Sequence, residues 1–396
     1  MLYDLPSHEP LTERPWDEDR ARAAIAAIVA DTEGAFDADE LWPAHPVDLT
    51  DGPLSRVSTI YLGAAGVVWA LHRLERSGLA DLRRDWAPIA AGLYEHYLAE
   101  PDFQDTVEGT VPSLWMGEAG ILVVAHTLAP ATWQEERLLA AVRANAGNPS
   151  WELMWGSPGT MIAARVLHER TGAAQWADAW TASAERLLEE WRGKVWQQEL
   201  YGQPAEYLGP AHGFAGNVLA LAQGGLLDPA RRVELERRTI ETLLTYATRE
   251  DGLCQWPPAT QPSRKPQPLR TQWCHGAPGI VASLASLAPR DGQLTELLVE
   301  GGELTWQAGP LKKGGGLCHG TAGNGYAFLK LFERTGDELW LDRARRFAMH
   351  ALEQVEAANA GDGRGRHNVW TGDLGPALYA RSCLEASAAV PTLDEL

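Results

Sequence analysis

A repeat constrains this chain more than any other feature. The pattern Gly-x-x-Gly, opening an apolar stretch, begins at Gly63, Gly117, Gly156, Gly213, Gly276, Gly320 and Gly372. One such pattern means nothing; seven spread along 396 residues mean a repeated structural unit. The stretch after each pattern has helical spacing: Val67, Ala70, Leu71 and Leu74, or Ile121, Val124, Ala125 and Leu128, fall at i, i+3, i+4 and i+7. More polar helical stretches lie between, such as Asp81 to Ala99 and Pro229 to Arg249. In the second of these, Val233, Ile240, Leu243 and Leu244 are expected to form one buried face. Each unit is thus a pair of helices, one apolar and one amphipathic. Such pairs stack openly or close into a ring. No atypical capping repeat stands at either end, so the expectation is an all-α, double-layered (α/α) toroid of seven helix pairs, about 14 helices. The apolar helices form its inner layer, and all seven glycine turns surround one cavity. Residues 21–396 are read as this single domain. Residues 1–20, with Pro6, Pro10 and Pro15, are read as a poorly structured arm, and residues 361–366 as a flexible turn.

Composition narrows the function. The formal net charge is −19, which argues against a nucleic-acid partner, since such a partner needs a basic face. Four cysteines are too few and too scattered for a disulfide framework. No apolar run reaches the roughly 18 residues of a spanning helix, and the first 30 residues lack a basic-plus-apolar leader. The expectation is a cytoplasmic protein without a transmembrane segment. Its 17 tryptophans against 6 phenylalanines suit a thick core or a wide cleft.

Aligning the modules on their first glycine exposes the chemistry. The residue two before it reads Tyr61, Trp115, Met154, Ala211, Cys274, Cys318 and Trp370, and the residue between reads Leu62, Met116, Trp155, His212, His275, His319 and Thr371. Two of the four cysteines therefore share one register position in consecutive modules, each followed by histidine. Cys274, Cys318 and His319 make a soft sulfur, sulfur, nitrogen set suited to one Zn2+ per chain, with a fourth position open as in catalytic sites. The alternatives are two buried cysteines beside a satisfied histidine, or a closed structural site with His275 or His212 as fourth ligand. Neither explains the shared register as well.

The strings YLGPAHGFAGN, QWCHGAPGI and KKGGGLCHGTAGNGYAFL closely resemble the lanthionine synthetase C-like (LanC-like) proteins, through all seven modules to the ending PTLDEL. The resemblance implies the (α/α) toroid and a zinc ion on Cys274, Cys318 and His319. It implies thiol addition to dehydroalanine or dehydrobutyrine, with glutathione or a peptide cysteine as donor and a dehydrated peptide or protein as acceptor. Cys-His-Gly at residues 274–276, where peptide cyclases usually carry Cys-Tyr-Gly, leans toward the eukaryotic-type, glutathione-binding branch. The resemblance also makes His212 the catalytic acid–base and places an acidic residue at Glu152, which also reads as a plain helix N-terminal carboxylate. Lys313 matches a lysine that contacts glutathione; a solvated surface lysine is its alternative. His275 is read as support for the metal or as a substrate contact. Arg264, Lys265 and Arg270 would add positive potential near the mouth, while Tyr326 and Trp273 are expected to pack rather than react. Two other functions stay open: an (α/α)-barrel glycoside hydrolase, for which Glu118, Glu152 and Asp373 lie near turns, and a zinc- and glutathione-binding scaffold without turnover.

Overall fold

The computed structural model describes residues 2–48, 57–102, 110–261, 269–290 and 292–396. Its α-helices alternate between two layers along the chain. In order they are α1 (Glu18–Gly34), α2 (Ala64–Arg76), α3 (Ala87–Ala99), α4 (Glu118–Leu128), α5 (Thr132–Asn145), α6 (Ser157–Thr171) and α7 (Ala174–Glu190). There follow α8 (Phe214–Ala222), α9 (Pro229–Tyr246), α10 (Ala277–Leu284), α11 (Gln293–Ala308), α12 (Thr321–Thr335), α13 (Glu338–Asp362) and α14 (Leu374–Glu385). The even-numbered helices, which follow the glycine pattern, touch one another in sequence, and α14 touches α2, so the inner layer closes. They are buried nearly all round, α8 and α10 at every residue. The odd-numbered helices bury one face: in α7 Trp176, Ala179, Trp180, Ser183, Ala184 and Leu187 repeat at three and four.

The paired glycines have a common cause. Before each inner helix the chain doubles back across the helix start. A Cβ on the first glycine of the second module would lie 1.9 Å from the carbonyl oxygen of Val111, and on the second 2.0 Å from that of Leu114. The same collision, with the residue six positions earlier, recurs at Gly63 and Gly66, Gly213 and Gly216, and Gly372 and Gly375. The residue after the first glycine donates its N–H to the carbonyl seven back, as Ala64 does to Val57 at 2.8 Å and Phe214 to Tyr207 at 3.0 Å. Each turn thus satisfies one orphan donor of its helix with a crossing strand that only glycine admits.

Four local expectations need correction. Residues 81–86 are not helical: Arg83 N donates to Glu33 and Trp86 Nε1 reaches the same carboxylate, so α3 starts only at Ala87. The buried face of α9 is Leu235, Thr239, Thr242 and Leu243; Val233 is 66% exposed and Leu244 lies at the surface. The helix packs through small polar residues that a hydrophobic count overlooks. The first residues are not a loose arm either. His8 is buried and bonds the Gly309 carbonyl, Glu9 N donates to Pro310, Lys312 N donates to Ser7, and Gln255 bonds the Leu2 carbonyl. Residues 361–366 are likewise tied down, through Arg366–Asp48 and Arg364–Ala44.

Two short hairpins, β1–β2 (Gln198–Leu200, Gln203–Ala205) and β3–β4 (Thr248–Glu250, Leu253–Gln255), sit at the turn end. The carboxyl-terminal tail crosses the opposite end of the ring. There Lys330 pairs with Asp394 at 2.9 Å and Arg381 with Glu395 at 2.6 Å, while Arg165 bonds the Leu393 carbonyl. Among the described residues no helix is long and apolar enough to cross a membrane. Tyr326 and Trp273 are fully buried in the core.

Candidate metal centre and active site

The turns before α10 and α12 are stitched together by their backbones. Cys274 N donates to Cys318 O at 3.0 Å, and Cys318 N donates to Trp370 O at 2.8 Å. Both sulfurs are buried, and the ligand atoms of Cys274, Cys318 and His319 all lie within 4.8 Å of one another. Zinc–ligand bonds of about 2.0–2.3 Å at tetrahedral angles place donor atoms roughly 3.5–3.8 Å apart, so small adjustments would let this set close on a cation. The electrostatics of the pair agree. The Cys318 thiol and His319 hold the Cys274 thiol well below its ordinary value, and the charge on Cys274 pushes Cys318 up.

Around the sulfurs stand residues that the register alone did not assign. Gln272 Nε2 donates to Cys274 Sγ at 2.9 Å, and Lys313 Nζ donates to Gln272 Oε1 at 3.4 Å. Lys313 is exposed, yet it is linked to Cys274 through one amide. Lys312 turns away and donates to Pro6 O. Tyr61, from the first module, stacks its ring on that of Trp370, whose carbonyl accepts the Cys318 N–H. Tyr61 was visible in the aligned column but carries no metal-ligand chemistry; the only signal was its shared position with the cysteines. Arg264 and Lys265 lie outside the described residues, and Arg270 is exposed at the same end.

Glu152 and His212 face this centre from the third and fourth modules. Glu152 is fully buried and takes three donors: Met154 N at 2.9 Å, Trp155 N at 2.6 Å and His212 Nδ1 at 3.0 Å. One carboxylate thus both caps its own turn and holds the His212 ring. Trp151, at φ 41°, holds the left-handed bend that swings Glu152 inward. A carboxylate on Nδ1 assigns the proton to that nitrogen and leaves Nε2 for the cavity. Burial alone would lower the His212 pKa; the hydrogen bond and charge of Glu152, with the charge of Cys274, raise it above its ordinary value. The His275 ring lies 6.2 Å from that of His212, with Tyr207 about equally near both, at 5.8 and 6.0 Å. Burial holds His275 below its ordinary pKa, and its buried Nδ1 has no partner among the described residues.

The other two carboxylates near the turns, Glu118 and Asp373, are each engaged by neighbouring groups. Glu118 is neutralised by Arg137 and bonded by Tyr94, and Asp373 is occupied by Asn359 and by the Arg366 N–H.

Comparison with known proteins places this architecture. The model of the family described as lanthionine synthetase C-like protein matches residues 55–391. The chain is 31% identical over 333 residues to glutathione S-transferase LANCL1 of Danio rerio, covering 74% of this chain and 77% of that protein. It is 36% identical over 117 residues to LanC-like protein GCL1 of Arabidopsis thaliana, covering 28% of this chain and 27% of the relative. Among solved structures, nisin cyclase superposes with a TM-score of 0.60 at 16% identity, covering 92% of this chain and 94% of its own. That likeness concerns the fold, and its ring of helices is the one described above. A family match over most of the chain, with a relative that shares both length and sequence, makes this protein a member of the LanC-like family.

Proposed function

We propose that the protein is a zinc-dependent enzyme that adds a thiol to dehydroalanine or dehydrobutyrine residues of peptides or proteins. The observation that carries the reading is the facing of two constellations. Cys274, Cys318 and His319 converge within 4.8 Å, and the Glu152–His212 pair looks onto them closely enough for Cys274 to raise the histidine's pKa. Family membership supports the coarse activity, lanthionine synthetase-type C–S bond formation. The likeness to glutathione S-transferase LANCL1 of Danio rerio supports glutathione as the donor over a peptide cysteine.

Cys274, Cys318 and His319 would hold the ion and leave one position to the substrate. A zinc ion there supplies Lewis acidity that makes a substrate thiol a thiolate near neutral pH. The chain's own residues do the rest. The sulfur attacks the β-carbon, the C=C electrons move onto the adjoining carbonyl, and the enolate takes a proton at the α-carbon. His212 gives that proton from Nε2, while Glu152 holds Nδ1 and stabilises the charged ring before transfer. The thiol proton leaves to solvent, so the addition consumes no net proton. Lys313 and Arg270 offer positive potential to the carboxylates of glutathione at the rim of an otherwise acidic protein. His275, with its unpaired buried nitrogen, serves as a substrate contact. Four free, buried cysteines accord with a reducing, cytoplasmic setting.

Two measurements test this. Elemental analysis should find one zinc per chain, lost in a Cys274→Ala, Cys318→Ala double variant. Mass spectrometry of a dehydroalanine peptide incubated with enzyme and glutathione should show the mass of the adduct. Stoichiometric zinc that survives the double variant sinks the ligand set. Zinc with no adduct from any thiol donor leaves a binding scaffold instead of an enzyme.

A further inference from the structure

The two hairpins at the turn end are built on the same two-residue turn. In one, Asp251 and Gly252 take φ 53° and 77°; in the other, Tyr201 and Gly202 take φ 52° and 73°. Positive φ at both central positions marks the type I′ turn, which favours Asn, Asp or Gly at the first of them. Asp251 is an ordinary occupant of that place. Tyr201 is not: a bulky side chain in the left-handed region is strained, and the turn itself has no use for a phenol ring. Burial does not answer the strain. At 70% exposure, Tyr201 is the most exposed large apolar side chain among the described residues. The ring is nevertheless held in one place. Its hydroxyl accepts from Trp155 Nε1 at 3.4 Å, and it stands edge-on to His212, with centroids 6.4 Å apart and planes at 75°. The hairpin below is pinned as well: Glu199 N donates to Pro149 O at 3.0 Å, and Gln198 Oε1 accepts from Tyr207 N at 2.9 Å. Half-buried Tyr207 lies 6.0 Å from the His212 ring and 5.8 Å from that of His275. Aromatic rings thus run from the exposed hairpin tip, past His212, to the neighbour of Cys274.

The geometry points to a binding subsite for the acceptor peptide on this wall, in which Tyr201, backed by Trp155 and Tyr207, takes the residues that flank the dehydroamino acid. The inference rests on the reading of His212 as the proton donor to the α-carbon. An α-carbon within reach of His212 fixes where the rest of the acceptor can lie. An extended chain advances about 3.3 Å per residue, so the residues one or two places along arrive at the Tyr201 ring. A ring already fixed by its backbone and by one hydrogen bond offers contact area at little further loss of entropy. Charge separates the acceptor from the thiol donor. The charged side chains of residues 198–206, Glu199 and Glu206, are both acidic and repel the carboxylates of glutathione, whereas an apolar peptide segment meets no such penalty.

The test separates the ring from the fold. Tyr201→Asn replaces the ring with a residue that the turn prefers, so the variant should keep its circular dichroism spectrum and melt at or above the wild-type temperature. With a dehydroalanine peptide and glutathione as substrates, its KM for the peptide should rise about tenfold, as loss of an aromatic anchor does. Its kcat and its KM for glutathione should stay within about twofold of wild type. Tyr201→Phe, which keeps the ring, should recover most of the lost affinity. A second readout needs no turnover: the anisotropy of an uncharged, fluorescein-labelled peptide with alanine in place of dehydroalanine should show about tenfold weaker binding to Tyr201→Asn. An unchanged peptide KM with an unchanged anisotropy curve overturns the subsite and leaves the enzyme reading intact. A rise in KM for glutathione in place of the peptide gives the ring to the donor and overturns the subsite too. A wild-type chain that forms no adduct yet binds the alanine peptide through Tyr201 loses the enzyme reading and keeps the peptide site. A wild-type chain that does neither loses both.

Discussion

Glu152→Gln removes one charge from the proposed acid–base pair at nearly constant shape. The wild-type carboxylate takes three donors on two oxygens: Oε2 receives Met154 N and His212 Nδ1, and Oε1 receives Trp155 N. A glutamine has one carbonyl oxygen. Placed where Oε2 stood, it keeps the first two bonds and turns its NH2 onto the Trp155 N–H. The loss of that bond in a fully buried site costs about 1–3 kcal/mol of stability. The larger effect is on His212. Hydrogen bonds to charged groups contribute about 1.5–3 kcal/mol, against about 1 for neutral ones, so the imidazolium loses roughly 1–2 kcal/mol of support. At about 1.4 kcal/mol per pKa unit that lowers its pKa by about one unit. The sign follows from the role. A general acid is lost as pH rises through its pKa, so the alkaline limb of the rate–pH profile for thiol addition should move to lower pH by about one unit. Zinc content should stay at wild type, since no metal ligand is touched. Initial rates between pH 5 and 9, with elemental analysis of the same samples, decide it. An alkaline limb that does not move, in a variant that keeps its zinc and its fold, refutes the acid role of the Glu152–His212 pair.

His212→Ala should keep zinc and fold but lose about 10²- to 10⁴-fold in rate, as loss of a positioned acid does; loss of zinc together with rate would make His212 a ligand or support instead. Lys313→Ala should raise KM for glutathione about three- to tenfold with kcat nearly unchanged, because an exposed lysine adds binding and not chemistry; an unchanged KM would return it to a solvated surface lysine. Gly323→Ala puts a Cβ 1.7 Å from Leu317 O, next to Cys318, and should cost at least about 2 kcal/mol in urea melts while weakening zinc binding. A melt within error of wild type would show that the crossing strand yields freely.

The ring was legible because its requirement is local and repeated. A backbone crossing at every inner helix start demands glycine twice, and seven such demands survive in sequence as a visible pattern. The convergence of Cys274, Cys318 and His319 was legible for the same reason, since equal register in a ring means adjacency in space. What the sequence hid are contacts between distant segments. Tyr61 stacks on Trp370, Gln255 bonds Leu2, and Thr392 serves Trp115 and Trp370, none of which leaves a local signature. Pro6, Pro10 and Pro15 suggested a loose arm, because proline content reports the absence of helix and strand and is silent about docking. Val233 and Leu244 were assigned inward because a period of 3.6 fixes the width of a helix's face, while tertiary packing chooses which residues fill it.

Seven equivalent turns need not do equivalent work, and the division of labour here follows their order around the ring. The fifth and sixth turns carry sulfur, the third and fourth carry Glu152 and His212, and the seventh, first and second carry Trp370, Tyr61 and Trp115. Three contiguous sectors result: one of thiols, one of a carboxylate and an imidazole, and one of aromatic rings. The aromatic sector is braced from the far end by the tail, where Thr392 accepts from both Trp115 and Trp370. At the turn end the side chains of Lys313 and Arg270 are exposed. Closure of the ring makes that asymmetry possible. In an open superhelix the first and seventh turns would be far apart, and Tyr61 would not touch Trp370 at all.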